Sequence, residues 1–309
     1  MKRILFSSLL LIFTLSVSIG QTSKTTKLKP SGNTSFSFGF MTDIHLQPEL
    51  HATEGFSKAI DTLNKLKPDF VVTGGDLVMD ALGQTEGCAD TLYNLYRTTS
   101  KKIKSPVYNT VGNHELFGLY LKNGITEAHP LFGIKMFESK IGKPYQTFSH
   151  KGWKFFILDD IDITTKGKYK GGVDSIQLQW VRDELAKTSK NTPVVVVLHI
   201  PLITSLTQFE QGAYAASTEG LVVANSKQVL DVFAGYNLKL VLQGHLHILE
   251  DNYIHDIHFI TGGAICGEWW KGPHKGTEEG FLMVHVNDQK VTWDYIDYKW
   301  NPVIEGSLK

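Results

Sequence analysis

Phe36-Ser37-Phe38-Gly39-Phe40-Met41-Thr42-Asp43-Ile44-His45 is an apolar, β-prone run that ends in a carboxylate and an imidazole two residues apart. The pattern recurs down the chain. Phe70–Thr73 leads into Gly74-Gly75-Asp76, and Pro106–Val111 leads into Gly112-Asn113-His114-Glu115. Val194–Leu198 runs into His199, and Leu238–Leu242 into Gly244-His245-Leu246-His247. A buried strand that ends in such a side chain delivers it to one edge of a sheet. Five of these endings point to one site assembled from five loops.

Between them, helix-like segments alternate with strands. Ala52–Lys67 places Phe56, Ile60, Leu63 and Leu66 at helical spacing and is closed by Pro68. Further helices are expected over roughly Ala89–Ile103, Glu127–Ser139 and Ser226–Phe233. A helix capped by Asp174 runs to about Lys187, with Ile176, Trp180 and Leu185 on one face. Tyr145–His150 and Trp153–Leu158 read as a hairpin turning at Lys151-Gly152, and the chain closes as a β-meander: Ile248–Tyr253, His258–Thr261, Phe281–Val286 and Lys290–Asp294. Early βα alternation followed by late antiparallel strands makes this an α/β chain with mixed sheets.

At 309 residues, with 42% apolar and 20% charged residues, the chain has ordinary globular composition. Its zero formal charge gives no support to a dedicated nucleic-acid or anionic-membrane surface. Lys2 and Arg3 precede the apolar run Ile4–Ile19, which falls short of the roughly 18–20 residues that span a bilayer. Residues 1–20 therefore read as a cleaved signal peptide and residues 21–35 as a flexible lead-in, leaving 36–300 as the folded domain of an exported, periplasmic or secreted protein without a stable membrane anchor. The two cysteines, Cys88 and Cys266, are as compatible with free thiols as with a disulfide and lack the spacing of a structural zinc site.

The five endings carry oxygen and nitrogen donors and no sulfur, the set that suits two closely spaced divalent ions. Asp43 and His45, read as an extended segment, fall on one side of it, as do His245 and His247. Asp76 follows two glycines, so its backbone can turn sharply and its two oxygens can reach different ions. Taken singly, each block has an ordinary structural explanation; the ordered set does not.

Asp43-x-His45, Gly75-Asp76, Gly112-Asn113-His114-Glu115, His199 and Gly244-His245-x-His247 together resemble the signature of the calcineurin-like metallophosphoesterase superfamily, in its bacterial, cyclic-nucleotide-phosphodiesterase-like branch. The resemblance implies a four-layer α/β/β/α sandwich of two mixed sheets flanked by helices. It implies one divalent ion on Asp43, His45, Asp76 and His247, and a second on Asp76, Asn113, His199 and His245, with Mn, Fe and Zn all suited to such ligands. His114 becomes the catalytic residue beside the scissile phosphorus, attacked in line by a hydroxide held between the ions. Glu115 is expected to orient His114 or a ligand from behind. Met79 stands where purple acid phosphatases carry a tyrosine ligand, and Asp80-Ala81-Leu82-Gly83 lacks the Asp-Arg-Gly run of the protein Ser/Thr phosphatases.

The expected activity is metal-dependent hydrolysis of a small-molecule phosphate ester, a diester ahead of a monoester. A phosphomonoesterase and a non-catalytic phosphoryl-ligand binding protein on the same fold are the alternatives. Trp269 and Trp270, in a glycine-rich late loop, are candidates for an aromatic wall over the substrate, against the simpler role of sealing that loop onto the core.

Overall fold

The computed structural model of the protein describes residues 34–165 and 167–302. The expected signal peptide and all of the lead-in up to residue 33 lie outside them. In chain order the elements are β1 (Ser35–Met41), α1 (Ala52–Leu66), β2 (Phe70–Thr73), α2 (Glu86–Ser100), β3 (Val107–Tyr108), α3 (Lys135–Lys140), β4 (Gln146–His150) and β5 (Trp153–Ile157). A hairpin of β6 (Ile161–Thr165) and β7 (Lys168–Gly171) precedes α4 (Ser175–Ala186), β8 (Pro193–Val197), α5 (Leu206–Gln211), α6 (Ser226–Val232) and β9 (Asn237–Gln243). The chain ends with β10 (Leu249–Ile254), β11 (Ile257–Gly262), β12 (Gly280–Asn287) and β13 (Lys290–Asp297).

Two mixed sheets result, one in the order β13-β12-β1-β2-β3 and the other β10-β11-β9-β8-β5-β4. Period-two alternation in β1 decides how they stack. Phe36, Phe38 and Phe40 enter a core shared with Phe155, Ile157, Val195, Val197, Leu240 and Leu242 of the second sheet. Met41 faces the other way, into a cluster with Phe56, Ile60 and Leu63 of α1 and Tyr93 and Tyr96 of α2. On the outer face of the second sheet, Leu178, Val181 and Leu185 of α4 and Val229 and Val232 of α6 pack on Val194, Val196 and Val241. Helix, sheet, sheet, helix is the four-layer α/β/β/α sandwich.

The inter-sheet seam is aromatic. Phe155 is fully buried, with its ring 5.6 Å from Phe38 and 5.2 Å from Phe70, both edge-on. Phe155→Ala removes a ring that ties the two sheets together and is expected to cost about 3–5 kcal/mol of stability. Urea unfolding of the metal-free protein measures this, and a loss under about 1 kcal/mol would contradict the seam's role.

Several elements differ from expectation for identifiable reasons. Helix α2 begins at Glu86 because the Thr85 side chain caps it, accepting from Cys88 N. The strand expected over Pro106–Val111 shortens to Val107–Tyr108; beyond it Thr73 Oγ1 takes Thr110 N, at 2.9 Å, and ends the ladder. Pro130 and Gly133, the latter at φ +65°, confine the helix expected over Glu127–Ser139 to Lys135–Lys140. In α4 the inward face carries Gln177, Leu178, Val181 and Leu185, whereas Ile176 is 75% exposed. Gln177 turns in because its side-chain amide donates to Asp159 O and accepts from Asp159 N. The terminal strands are not one meander. Strands β10 and β11 complete the second sheet, with β11 parallel to β9, while β12 and β13 add to the first through β1. Residues 263–279 cross between the sheets and carry both tryptophans past the strand ends. Cys88 is exposed and Cys266 buried, and both are free thiols.

Candidate metal centre

The loops after β1 and β2 run side by side. Asp43 N donates to Gly75 O at 3.1 Å, and Ile44 N and His45 N both donate to Asp76 O at 2.9 Å. This double attachment brings Asp43, His45 and Asp76 together and refutes the extended reading of Asp43-Ile44-His45. Asp43 (φ 51°), His45 (φ 45°), Asp76 (φ 51°), His245 (φ 71°) and His247 (φ 56°) all adopt left-handed backbone. Strain of this kind persists only where the surroundings enforce it, and at these strand ends it falls on residues with donor side chains. The motif glycines permit the close approach. A Cβ on Gly75, itself at φ +89°, would lie 2.6 Å from His199 Nδ1, and one on Gly112 would lie 2.3 Å from Asp76 N.

Three imidazoles are oriented from outside by main-chain carbonyls. His199 Nδ1 bonds Gly74 O at 2.8 Å, His245 Nε2 bonds Gly220 O at 2.8 Å, and His247 Nδ1 bonds Gly267 O at 2.7 Å. A carbonyl only accepts, so each outer nitrogen carries the proton and the inner nitrogen of the neutral ring is a lone pair. The inner nitrogens converge with that of His45, whose Nδ1 is buried without a partner. His199 Nε2 lies 3.2 Å from His245 Nδ1, 3.0 Å from Asn113 Oδ1 and 3.2 Å from Asp76 Oδ2. On the other side His247 Nε2 lies 3.1 Å from His45 Nε2 and 3.4 Å from Asp43 Oδ1, and His45 Nε2 lies 3.5 Å from Asp76 Oδ2.

With the rings neutral these lone pairs face one another and the oxygens of Asp76, Asn113 and Asp43, a cluster that calls for a cation, a proton in the bare protein or a divalent ion in its place. The donor chemistry thus fits divalent ions: Asp43, His45 and His247 form one set, Asn113, His199 and His245 the other, and Asp76 Oδ2 borders both. Asp76 reaches the two sets with a single oxygen, because Oδ1 is occupied by the backbone N–H of His114 at 2.9 Å. The bare protein shows the corresponding electrostatic demand. Burial works against charge on Asp76, yet His199, His114 and His45 hold its carboxyl well below the usual range. Burial likewise opposes a charged His199, but Asp76, Asp43 and Asp160 pull it up to about 10; burial and the facing His199 push His245 down to about 3.

His114 stands at the edge of these sets with its side chain 18% exposed, Nδ1 on the Met79 carbonyl and Nε2 4.0 Å from Asp76 Oδ2. Glu115 does not touch the His114 ring. Fully buried, it accepts four backbone N–H groups: Asp76 (3.0 Å) and Gly112 (2.7 Å) on Oε2, Leu77 (2.8 Å) and Val78 (3.1 Å) on Oε1. It therefore shapes the loop that presents Asp76. Burial and Asp76 push its carboxyl up to about 8 against the pull of those amides. Glu115→Gln turns one acceptor oxygen into a donor facing N–H groups, at an expected cost of about 3 kcal/mol in stability. Metal affinity should fall about 10–100-fold with it. Thermal melts and metal titration check both, and a Gln variant with unchanged metal affinity would remove Glu115 from this role.

The two tryptophans separate. Trp269 lies over the site, its ring centroid 4.2 Å from that of His45, 5.3 Å from His114 and 5.1 Å from His247. Trp270 is only 1% exposed, packs edge-on against Trp300 and donates its indole N–H to His45 O at 3.0 Å. The expectation that Trp270 walls the substrate is therefore wrong: it belongs to the core and steadies the His45 backbone from behind.

Sequence reasoning missed Asp160, whose carboxylate accepts His199 N at 3.2 Å and Ile200 N at 2.7 Å. Its signal was available, since Asp159-Asp160 ends the β5 run just as Asp43 ends the β1 run. Thr42, whose hydroxyl donates to Asp43 Oδ2 at 2.6 Å, was also missed, as was Cys266, with Sγ 3.9 Å from His247 Nδ1. A cavity of about 280 Å³ opens on Asp76, Asn113, His114, His245 and His247, and Tyr169, Leu246, Trp269 and His274 complete its wall.

Residues 36–249 match the family model for the calcineurin-like phosphoesterases. The chain is 24% identical over 236 residues to a 3',5'-cyclic-nucleotide phosphodiesterase of Nostoc, covering 73% of this chain and 77% of that protein. It is 25% identical over 245 residues to a manganese-dependent ADP-ribose/CDP-alcohol diphosphatase of Arabidopsis thaliana, covering 65% of this chain and 71% of the relative. Among solved structures, a dimetal phosphatase from Danio rerio superposes with a TM-score of 0.58 at 15% identity, covering 85% of this chain and 99% of that one; this is a likeness of fold.

Proposed function

The chain belongs to the calcineurin-like phosphoesterase family of metal-dependent phosphoric ester hydrolases, and from that premise we propose that it is an exported enzyme with two divalent ions that hydrolyses small phosphate esters, diesters in preference to monoesters. The observation that carries the reading is the pair of converging donor sets that border the same Asp76 oxygen. Ions bound there would supply Lewis acidity, neutralising phosphoryl oxygens and lowering the pKa of water.

The chain's own residues supply the rest. Asp76 Oδ2 sets the spacing of the two sets, while Gly74, Gly220 and Gly267 carbonyls and Asp160 fix the histidines, so little reorganisation is needed when substrate arrives. His114 holds one ring proton on Met79 O; in its protonated form the second, on Nε2, is available to the leaving oxygen. Trp269 covers His45 and keeps bulk water from that side. A diester preference is supported by wall that the donor sets do not use: Trp269 and His274 line the same cavity and could contact a second ester substituent. Export is supported by Lys2, Arg3 and the apolar run Ile4–Ile19.

The test is turnover of an aryl phosphate diester and the matching monoester by protein stripped and reloaded with Mn²⁺ or Zn²⁺. Metal-dependent hydrolysis with the diester faster is the expected result. A faster monoester would overturn the preference, and no turnover of either by fully loaded protein would favour a binding role.

A further inference from the structure

The β6–β7 hairpin is a two-stranded unit outside both main sheets, and it has no counterpart among the strand-end motifs. Tyr169, opposite Ile163 in its ladder, is the residue it contributes to the cavity beside Asp76, Asn113 and His114. The hairpin is firmly attached. Gly171 N donates to Glu219 O at 2.8 Å, Ala224 N to Gly171 O at 2.8 Å, and Gly172 N to Asp160 O at 2.8 Å. These contacts link it on one side to the segment whose Gly220 carbonyl orients His245, and on the other to the carboxylate residue behind His199.

The Tyr169 ring packs against the apolar cluster of Leu82, Leu116 and Leu119, which fixes its direction. Its hydroxyl makes no hydrogen bond to any of the described residues. Tyr169 is half-buried, and its hydroxyl is left to meet whatever polar group occupies the cavity it lines. Burial, with Asp76 and Tyr120 nearby, pushes this phenol above its ordinary pKa. A neutral phenol can donate as well as accept, and toward an anionic phosphoryl oxygen, which only accepts, it is the donor.

Resting on the phosphoesterase reading above, we propose that Tyr169 is a substrate-binding residue whose hydroxyl donates a hydrogen bond to a nonbridging oxygen of the bound phosphoryl group. The acceptor is anionic, and the bond is present in substrate, transition state and product alike. Its loss therefore acts on binding more than on kcat.

The experiment compares wild type, Tyr169→Phe and, as a neighbouring control off the cavity, Tyr120→Phe, each loaded with Mn²⁺. Inorganic phosphate binding is measured by calorimetry and by competitive inhibition, and metal content and melting temperature are recorded alongside. Tyr169→Phe is expected to weaken phosphate binding and raise KM about 10-fold, with kcat, metal content and Tm near wild type and Tyr120→Phe unchanged. Equal phosphate affinity in wild type and Tyr169→Phe would overturn the assignment while leaving the phosphoesterase reading intact, and so would a loss shared by Tyr120→Phe. Loaded wild type that neither binds phosphate nor hydrolyses esters would overturn that reading, and Tyr169's role with it.

Discussion

Asp76→Asn protein should fold, keep the hydrogen bond from His114 N, and lose turnover by at least about 10³-fold. The carboxylate borders both donor sets, at 3.5 Å from His45 Nε2 and 3.2 Å from His199 Nε2. Asn keeps the shape but replaces a charged acceptor with an amide, so the two sets lose their common anionic ligand. Metal content per chain is expected to fall together with activity. Circular dichroism separates this from misfolding, because Oδ1 and the four amides around Glu115 still hold the loop. An Asn variant with near-normal kcat and full metal content would show that the shared oxygen does not bridge.

His114→Ala should have the opposite signature, with metal content unchanged and kcat reduced by about 10²–10⁴-fold. Its ring bonds Met79 O and stands 4.0 Å from Asp76 Oδ2, at the edge of the two donor sets as assigned above. If its Nε2 proton goes to the leaving oxygen, the loss depends on the leaving group. It should be smaller for an aryl ester, whose phenolate leaves readily, and larger for an alkyl ester, whose alkoxide needs the proton. Rates on the two ester types measure this directly. An equal loss on both would assign His114 an electrostatic role in place of proton transfer.

Much of the site was legible in the sequence because strand and ligand are adjacent: an apolar run buries itself, and the next polar residue must emerge at the sheet edge. That rule brought Asp43, His45, Asp76, Asn113, His199, His245 and His247 to one place without any knowledge of topology. It failed where backbone or packing was decisive. The left-handed turns at Asp43 and His45 carry no composition signal apart from the tolerance of Asp and His for such φ values. Trp269 and Trp270 are neighbours of identical type, and only the crossing of residues 263–279 between sheets sends one ring to the site and the other to the core. Tyr169 lies on a short hairpin of mixed polarity whose strand pattern is weak, so nothing local marked it. The split of the last four strands between two sheets is likewise non-local, since a hairpin looks the same whichever sheet it joins.

The most direct test is anomalous diffraction from crystals of the protein loaded with Mn²⁺. Two peaks on either side of Asp76, one among Asp43, His45 and His247 and the other among Asn113, His199 and His245, are the expected result. A single peak, or peaks that leave either set without an ion, would contradict the dinuclear centre from which the mechanism is derived.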